Sequence, residues 1–364
     1  MKKFIFANQL RGIAALLVVM THYFGTFFAE QDLLAARTFS INQHLVKAPW
    51  VHIFELEYQG PFGVALFFLI SGFVIPFSLR KSSVAGFLVN RALRIFPTYA
   101  CCLGLGTLAI FVSARYWGQP FGYDAKVLAA NALLVFNLTG QPSMDAVNWT
   151  LAIEVKFYLL MALAGTALFR PAAGWLLAFL AAAAAFTWNG THGVPIATPL
   201  LMELNYIVFM VAGCLFYQHV SGLISTAALV ARALLTVAVF SLTWSIGPQQ
   251  GQFPAVTVWY YSAFAVFALC YALRERFRPV PVLDFLAAVS YPLYCVHALF
   301  GYSAMKILID QGWPYGVAVL VTLACTLLLA YGVHVSVENA SNALGRRWGA
   351  ALSRRAPAPA PARA

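Results

Sequence analysis

Ten windows of about 20 residues in this 364-residue chain are apolar enough to cross the hydrocarbon core of a bilayer, and that repetition constrains the fold more than any other feature. They run near 4–25, 61–79, 95–114, 148–169, 172–189, 200–218, 229–247, 255–273, 284–305 and 315–337. An eleventh apolar stretch, 127–138, is too short to cross and is expected at the interface or as a re-entrant segment. A soluble fold is excluded by composition. Hydrophobic residues make up 62% of the chain and charged residues 10%, where soluble domains carry about 25% charged. Mean hydropathy is +0.78. The same figures exclude a disordered chain. The expected class is therefore all-α: a polytopic membrane protein of about ten transmembrane helices, one domain over residues 1–340. Residues 341–364, rich in Arg, Ala and Pro, read as a flexible cytoplasmic tail.

The formal net charge of +11, from 23 Lys and Arg against 12 Asp and Glu, reads first as orientation. An even number of spans puts both termini on one side. Sixteen of the basic residues then lie in segments on that side and five on the other, while Arg11 and Lys156 fall within spans. The positive-inside rule places both termini in the cytoplasm. Nucleic-acid binding is the weaker explanation of the charge, and no nucleic-acid partner is expected. The start, Met-Lys-Lys before an apolar run, reads as an uncleaved first span because Arg11 interrupts the run. The six cysteines all fall inside apolar runs, with neither a disulfide framework nor metal-ligand spacing. No internal repeat is evident, which weakens an inverted-repeat transporter.

Ionisable groups inside spans cost several kcal/mol by most estimates and mark candidate functional sites. Arg11 and His22 are 11 residues apart, about three helical turns plus 20°, so both project from one face of the first helix, roughly 16 Å apart along its axis. The structural alternative is a snorkelling Arg and a His at the headgroups. Arg91 and Arg94, at spacing i, i+3, share a face at the cytoplasmic mouth of the third span, where Pro97 suits an early helical position. Two guanidiniums there form a fork for phosphate, or simply anchor the span. Glu154 lies about one turn below the outer end of the fourth span, where Trp149 is a plausible interface anchor. A carboxylate at that depth wants a partner, and His22 is at a similar depth. Lys156 points roughly the opposite way and is left unassigned. His297 lies from the middle to the outer half of the ninth span, as a catalytic group, an acceptor-binding group or a structural one. Glu338 closes the tenth span at the cytoplasmic end. Sorted by depth, Arg11, Arg91, Arg94 and Glu338 are inner; His22, Glu154, His297 and Glu203 are outer. The arrangement suggests a polyanionic donor entering from the cytoplasm and a proton removed from an acceptor at the outer groups.

At these residues the sequence resembles acyltransferase family 3, bacterial integral-membrane O-acyltransferases acting on surface polysaccharides and other acceptors. Arg11 and His22, separated by ten residues, match its first-span mark. The run Phe67 to Phe73, with Ser71 and Gly72, resembles its second-span signature. Arg91, Arg94, Pro97 and Tyr99 resemble its Arg-x-x-Arg-x-x-Pro pattern. Trp149, Leu151, Glu154, Phe157 and Tyr158 fit its fourth-span motif, with Thr150 where Ser is usual. Ser290, Tyr291, Tyr294 and His297 fit the late signature. The likeness runs from about residue 5 to 340. No SGNH-type esterase domain is expected after the last span, unlike fused members.

The resemblance implies a multi-pass enzyme of the bacterial inner membrane with acyl-CoA, expected to be acetyl-CoA, as co-substrate and no tightly bound cofactor or metal. The acyl group passes to a hydroxyl of a glycan or glycolipid. His22 is then the general base, with His297 as a second catalytic candidate, and Glu154 orients or charge-balances the imidazole. Arg11, Arg91 and Arg94 hold the CoA phosphates. Trp149, Tyr158, Tyr291 and Glu338 are candidates for further substrate contacts. A transporter or proton-coupled channel for a glycan intermediate, and an acylase of a small molecule such as an antibiotic, remain open at this stage. The outer stretch 26–60 is the expected specificity element; its His44 and His52 read as solvated.

Overall fold

The computed structural model describes residues 4–55 and 59–355, and among these there is no β-strand. The helices, in chain order, begin with α1 (Ile5–Met20), a π-helical turn (Thr21–Thr26), α2 (Phe27–Ala29) and α3 (Gln31–Thr38). They continue with α4 (Gln59–Leu79), α5 (Val84–Tyr116), α6 (Ala125–Ala132), α7 (Asn148–Ala164), α8 (Gly174–Thr191) and α9 (Thr198–Val220). The last are α10 (Thr226–Ile246), α11 (Thr257–Ala272), α12 (Pro281–Asp310), α13 (Tyr315–Val333), a second π turn (His334–Glu338) and α14 (Asn339–Arg355). Each of the ten expected windows coincides with a helix. Among the described residues, seven helical stretches are long and apolar enough to cross a membrane: 5–29, 59–79, 84–116, 198–220, 226–246, 281–310 and 315–354. The windows at α7, α8 and α11 hold helices of 17, 18 and 16 residues. At 1.5 Å per residue those reach about 24–27 Å, close to the thickness of the hydrocarbon core.

α1 packs against α12 and α4, α4 against α9, and α5 against α12 and α14. α9 is the most enclosed, with 83% of its apolar window buried, whereas α10 has 28% and turns most of its surface outward. The crossing of α4 and α9 depends on two glycines. A Cβ on Gly72 would lie 1.9 Å from the Met210 carbonyl oxygen, and one on Gly213 would lie 2.4 Å from that of Leu69. Small residues let backbones approach where van der Waals packing, rather than hydrophobic burial, holds helices together in lipid. One end of the bundle joins Asn8 to Asp284 (3.1 Å), Gln9 to the Arg278 carbonyl (2.7 Å) and the Ser83 N–H to Ser353 Oγ (2.9 Å). The opposite end joins Tyr116 to Asp310 (2.7 Å) and Lys306 to the Ile41 carbonyl (2.7 Å).

Two boundaries differ from expectation. α5 starts at Val84, N-capped by Ser83, whose Oγ accepts from the Gly86 N–H. Arg91, Arg94 and Pro97 therefore lie inside a 33-residue helix rather than at its mouth, and Pro97 is not an early helical position. The polar first turns of α5 lowered the window average and hid them. Residues 341–355, expected as flexible tail, are helical: α14 lies along α5, where a Cβ on Gly349 would come 2.7 Å from the Gly86 carbonyl oxygen. The rest of the expected tail, 356–364, lies outside the described residues. The stretch 127–138 holds the 8-residue α6, about 12 Å long and far too short to cross, followed by turns.

Candidate active site

Two adjoining cavities lie among α1, α4, α5, α7 and α12. The larger, about 260 Å³, is lined by Phe4, Asn8, Phe77, Arg91 and neighbours at the end that carries the start of α1. The smaller, about 80 Å³, runs past Ile95 and Tyr291 to Phe67, Thr150 and Tyr294. Both are lined by Arg11, Ser71, Arg94 and Glu154, so these four side chains form the waist between them. Arg91 and Arg94 reach the cavities from one face of α5, as i, i+3 spacing requires. The Arg91 guanidinium lies over the rings of Phe87 (5.6 Å) and Tyr158 (5.5 Å), the geometry of cation–π contacts. Among the described residues none of Arg11, Arg91 and Arg94 forms an ion pair. Three guanidiniums facing a cavity with one carboxylate leave an excess of positive charge, the setting in which phosphate is bound by charge-assisted hydrogen bonds.

Glu154 belongs to this chamber and not to an imidazole. One oxygen, Oε1, accepts from Tyr158 Oη (2.6 Å) and Ser71 Oγ (3.2 Å). The expected pairing with His22 is not formed, and the grouping of Glu154 with the outer residues does not hold: it lines the cavities with Arg11 and Arg94, which were sorted as inner, because it shares the face of Tyr158, four residues on, towards α4 and α5. Glu203, also expected among the outer groups, pairs with Lys156 at 2.9 Å. Glu338 stands apart from the arginines: its Oε2 meets His334 Nδ1 at 2.7 Å within the second π turn.

His22 and His297 do meet. Their ring centroids are 4.9 Å apart with planes at 64°. His22 sits in the π turn that ends α1, half-buried, and its Nδ1 is 2.8 Å from Tyr302 Oη. π turns inside helices are frequent at functional sites because they re-aim a side chain. The Nδ1 of His297 is shared between the carbonyls of Leu293 (3.1 Å) and Tyr294 (3.0 Å). Only an N–H can satisfy two carbonyls, so the proton is on Nδ1 and the lone pair on Nε2, which is buried without a partner among the described residues. Tyr23 locks this arrangement. Its Oη donates to the His297 carbonyl (3.0 Å) and lies 2.9 Å from Thr326 Oγ1, from which it can accept, and it fits because residue 301 is glycine: a Cβ there would lie 2.3 Å from Tyr23 Oη.

Other candidates fall between the two groups or beside them. Tyr291 lines the smaller cavity and donates to the Ile95 carbonyl (2.9 Å). Thr150 Oγ1 and Tyr294 Oη are 2.8 Å apart at the closed end of that cavity, and the Tyr294 ring is 6.0 Å from that of His297. Thr150 thus keeps the hydroxyl function of the usual Ser. Trp149 packs on Tyr206 (5.1 Å) and Phe68 (6.4 Å) and lines neither cavity. Among the described residues no three His, Cys, Asp or Glu side chains converge as a metal site. Sequence reasoning did not single out Tyr302, Tyr23 or Thr326; three hydroxyls among many in apolar runs carry no pattern until the helices are packed.

A family model for the acyltransferase domain matches residues 4–335. Nodulation protein 10 of Rhizobium leguminosarum bv. viciae is 33% identical over 130 residues, covering 29% of this chain and 33% of that protein. Acyltransferase MdmB of Streptomyces mycarofaciens is 32% identical over 156 residues, covering 41% of this chain and 36% of that protein. The chain thus spans about a third of the length of these curated relatives. No solved structure matches the chain. With the family model matched over nearly the whole length and the motif residues gathered in one bundle of apolar helices, the chain belongs to acyltransferase family 3 and is a multi-pass membrane protein.

Proposed function

We propose that this protein transfers an acetyl group from cytoplasmic acetyl-CoA to a hydroxyl of a cell-surface glycan or glycolipid, in the inner membrane of a bacterium. The observation that carries the reading is the pair of joined cavities with Arg11 and Arg94 at their waist. CoA has a charged nucleotide end and a long neutral arm. The wide cavity with Arg91 suits the first, and the narrow cavity ending at Thr150 and Tyr294 suits the arm and a short acyl group. With the termini cytoplasmic, as the distribution of basic residues supports, the wide cavity opens on the side where acyl-CoA is made.

In this reading His22 Nδ1–H donates to Tyr302 Oη, leaving the Nε2 lone pair to take the acceptor's hydroxyl proton. The acceptor oxygen attacks the thioester carbonyl, the C–S bond breaks, and the CoA sulfur takes the proton back from the imidazolium. General-base assistance of this kind contributes about 10²–10⁴-fold. His297 Nε2 can only accept a hydrogen bond while neutral, so its part is to hold an acceptor hydroxyl against His22. Glu154, held by Tyr158 and Ser71, keeps the arginines apart and oriented. The acceptor approaches from the end of the bundle opposite the termini.

The test is to supply radiolabelled acetyl-CoA to membranes containing wild type or His22→Ala, and to separate the glycan and lipid fractions. Label in the wild-type fractions that falls by about 10²–10⁴-fold in the variant supports the assignment. Equal label in the variant removes His22 as the base, and no label with wild type, correctly folded, returns a transport role.

A further inference from the structure

A second polar group is buried in the bundle away from the acyltransferase chamber. Lys156 projects from α7 and donates through Nζ to Glu203 Oε1 on α9 at 2.9 Å. Asn137 Nδ2, from the turns after α6, donates to the same oxygen. The other oxygen, Glu203 Oε2, and the carbonyl oxygen of Asn137 are both buried without a partner among the described residues. Glu203 is only 7% exposed. Both charged side chains line a cleft of about 320 Å³ whose other walls are apolar, among them Phe179, Ala182 and Phe186 of α8 and Ile207 of α9. Phe186 and Ala182 are exposed on the outer surface of α8, which in a bilayer faces hydrocarbon.

The chemistry of this cleft selects its ligand. The lysine charge is already matched by the carboxylate, so an anionic headgroup gains nothing there. What is unmet is acceptor capacity: Glu203, which lines the cleft, holds a carboxylate oxygen that is expensive to bury without a donor, and the Asn137 that donates to its other oxygen has an unmet amide oxygen of its own. The ligand must bring O–H donors, carry no charge, and have an apolar body to lie along Phe179, Phe186 and Ile207. We propose that the cleft between α7, α8 and α9 is a binding site for a neutral lipid with a free hydroxyl, entering laterally from the bilayer, the hydroxyl donating to Glu203 Oε2. The site is independent of the acetyl-transfer reading, since it shares no residue with the cavities lined by the arginines.

The experiment uses the full chain in nanodiscs containing 1-oleoyl-2-acyl-glycerol with a diazirine in its acyl chain, irradiated and mapped by peptide mass spectrometry. Crosslinks on 179–207 that are competed by unlabelled dioleoylglycerol, but not by its 3-O-methyl ether or by dioleoylphosphatidylcholine, support the site. Ala182→Trp, which fills the cleft from an exposed position, and the charge-balanced double variant Lys156→Met with Glu203→Leu, should each lower labelling about tenfold or more, the scale of one hydrogen bond to a charged group. Competition by the methyl ether or the phosphatidylcholine equal to that by dioleoylglycerol, or labelling unchanged in both variants, overturns the proposal and leaves the cleft a lipid-contacting surface around a structural ion pair. Acetyl transfer by the same preparation is measured in parallel and is expected to be unchanged, so failure of this site and failure of the acetyltransferase reading are read separately.

Discussion

Glu154 and Lys156 stand two residues apart on α7 and are used in opposite ways. Glu154 faces α4 and α5, where it takes hydroxyl donors and lines a cavity with three guanidiniums that form no ion pair among the described residues. Lys156 faces α8 and α9, where its charge is closed off by Glu203. Charge of one sign left open on a cavity is a device for binding the other sign. Charge closed into a pair costs desolvation and gives little net stability. Asp145, just before α7, is a third case: a buried carboxyl that forms no ion pair among the described residues, raised by burial to about 7 although the Val147 and Ala146 N–H groups and the Arg37 charge pull it down.

The contrast can be broken by substitution. Glu203→Ala should leave a half-buried Lys156 unpaired within the bundle, lowering stability by up to about 3 kcal/mol, while the double variant Lys156→Met with Glu203→Leu stays near wild type. Thermal unfolding in detergent reads both, and a double variant as unstable as the single one contradicts the account. Asp145 makes a pH prediction. Its carboxyl holds a proton to about pH 7 when folded but ionises near its ordinary 3.8 when unfolded, so the folded state binds more protons between those values. Stability should fall as pH rises from about 4 to about 7, by roughly 4 kcal/mol from this group alone, and then level off. Asp145→Asn should remove that slope; an unchanged slope assigns it elsewhere.

On the chamber side, Arg94→Ala should raise KM for acetyl-CoA about tenfold to a hundredfold, the worth of one or two charge-assisted hydrogen bonds, with unfolding temperature little changed. An effect confined to kcat would move Arg94 from donor binding to chemistry. Gly301→Ala forces a methyl group onto Tyr23 and should cost about 1–3 kcal/mol of stability, lowering kcat through the His297 carbonyl that Tyr23 holds, with KM for acetyl-CoA unchanged. The smallest effect is expected for Thr150→Ser, which keeps the hydroxyl that meets Tyr294; its activity should stay within about twofold, under 0.5 kcal/mol.

Much of the fold was legible before any coordinates. Every apolar window is a helix, because an apolar run of that length in lipid has to satisfy its own backbone hydrogen bonds. The polar first turns of α5 and the Arg-containing α14 escaped the same reading, since each is helical by packing on the other rather than by apolarity. Within the site, Arg91 and Arg94 were legible as a pair because helical spacing alone puts them on one face. The approach of His22 to His297 was legible only as a shared depth.

Sequence by itself determined the class of fold and the helices in its apolar windows, because rise per residue and the cost of exposed backbone in lipid are local properties. Only the tertiary structure decided who faces whom. Glu154 went to the arginines, Lys156 to Glu203, Glu338 to His334 and His22 to Tyr302 and His297, because azimuth is set by how each helix packs on its neighbours, and that is settled by contacts between residues far apart in the chain.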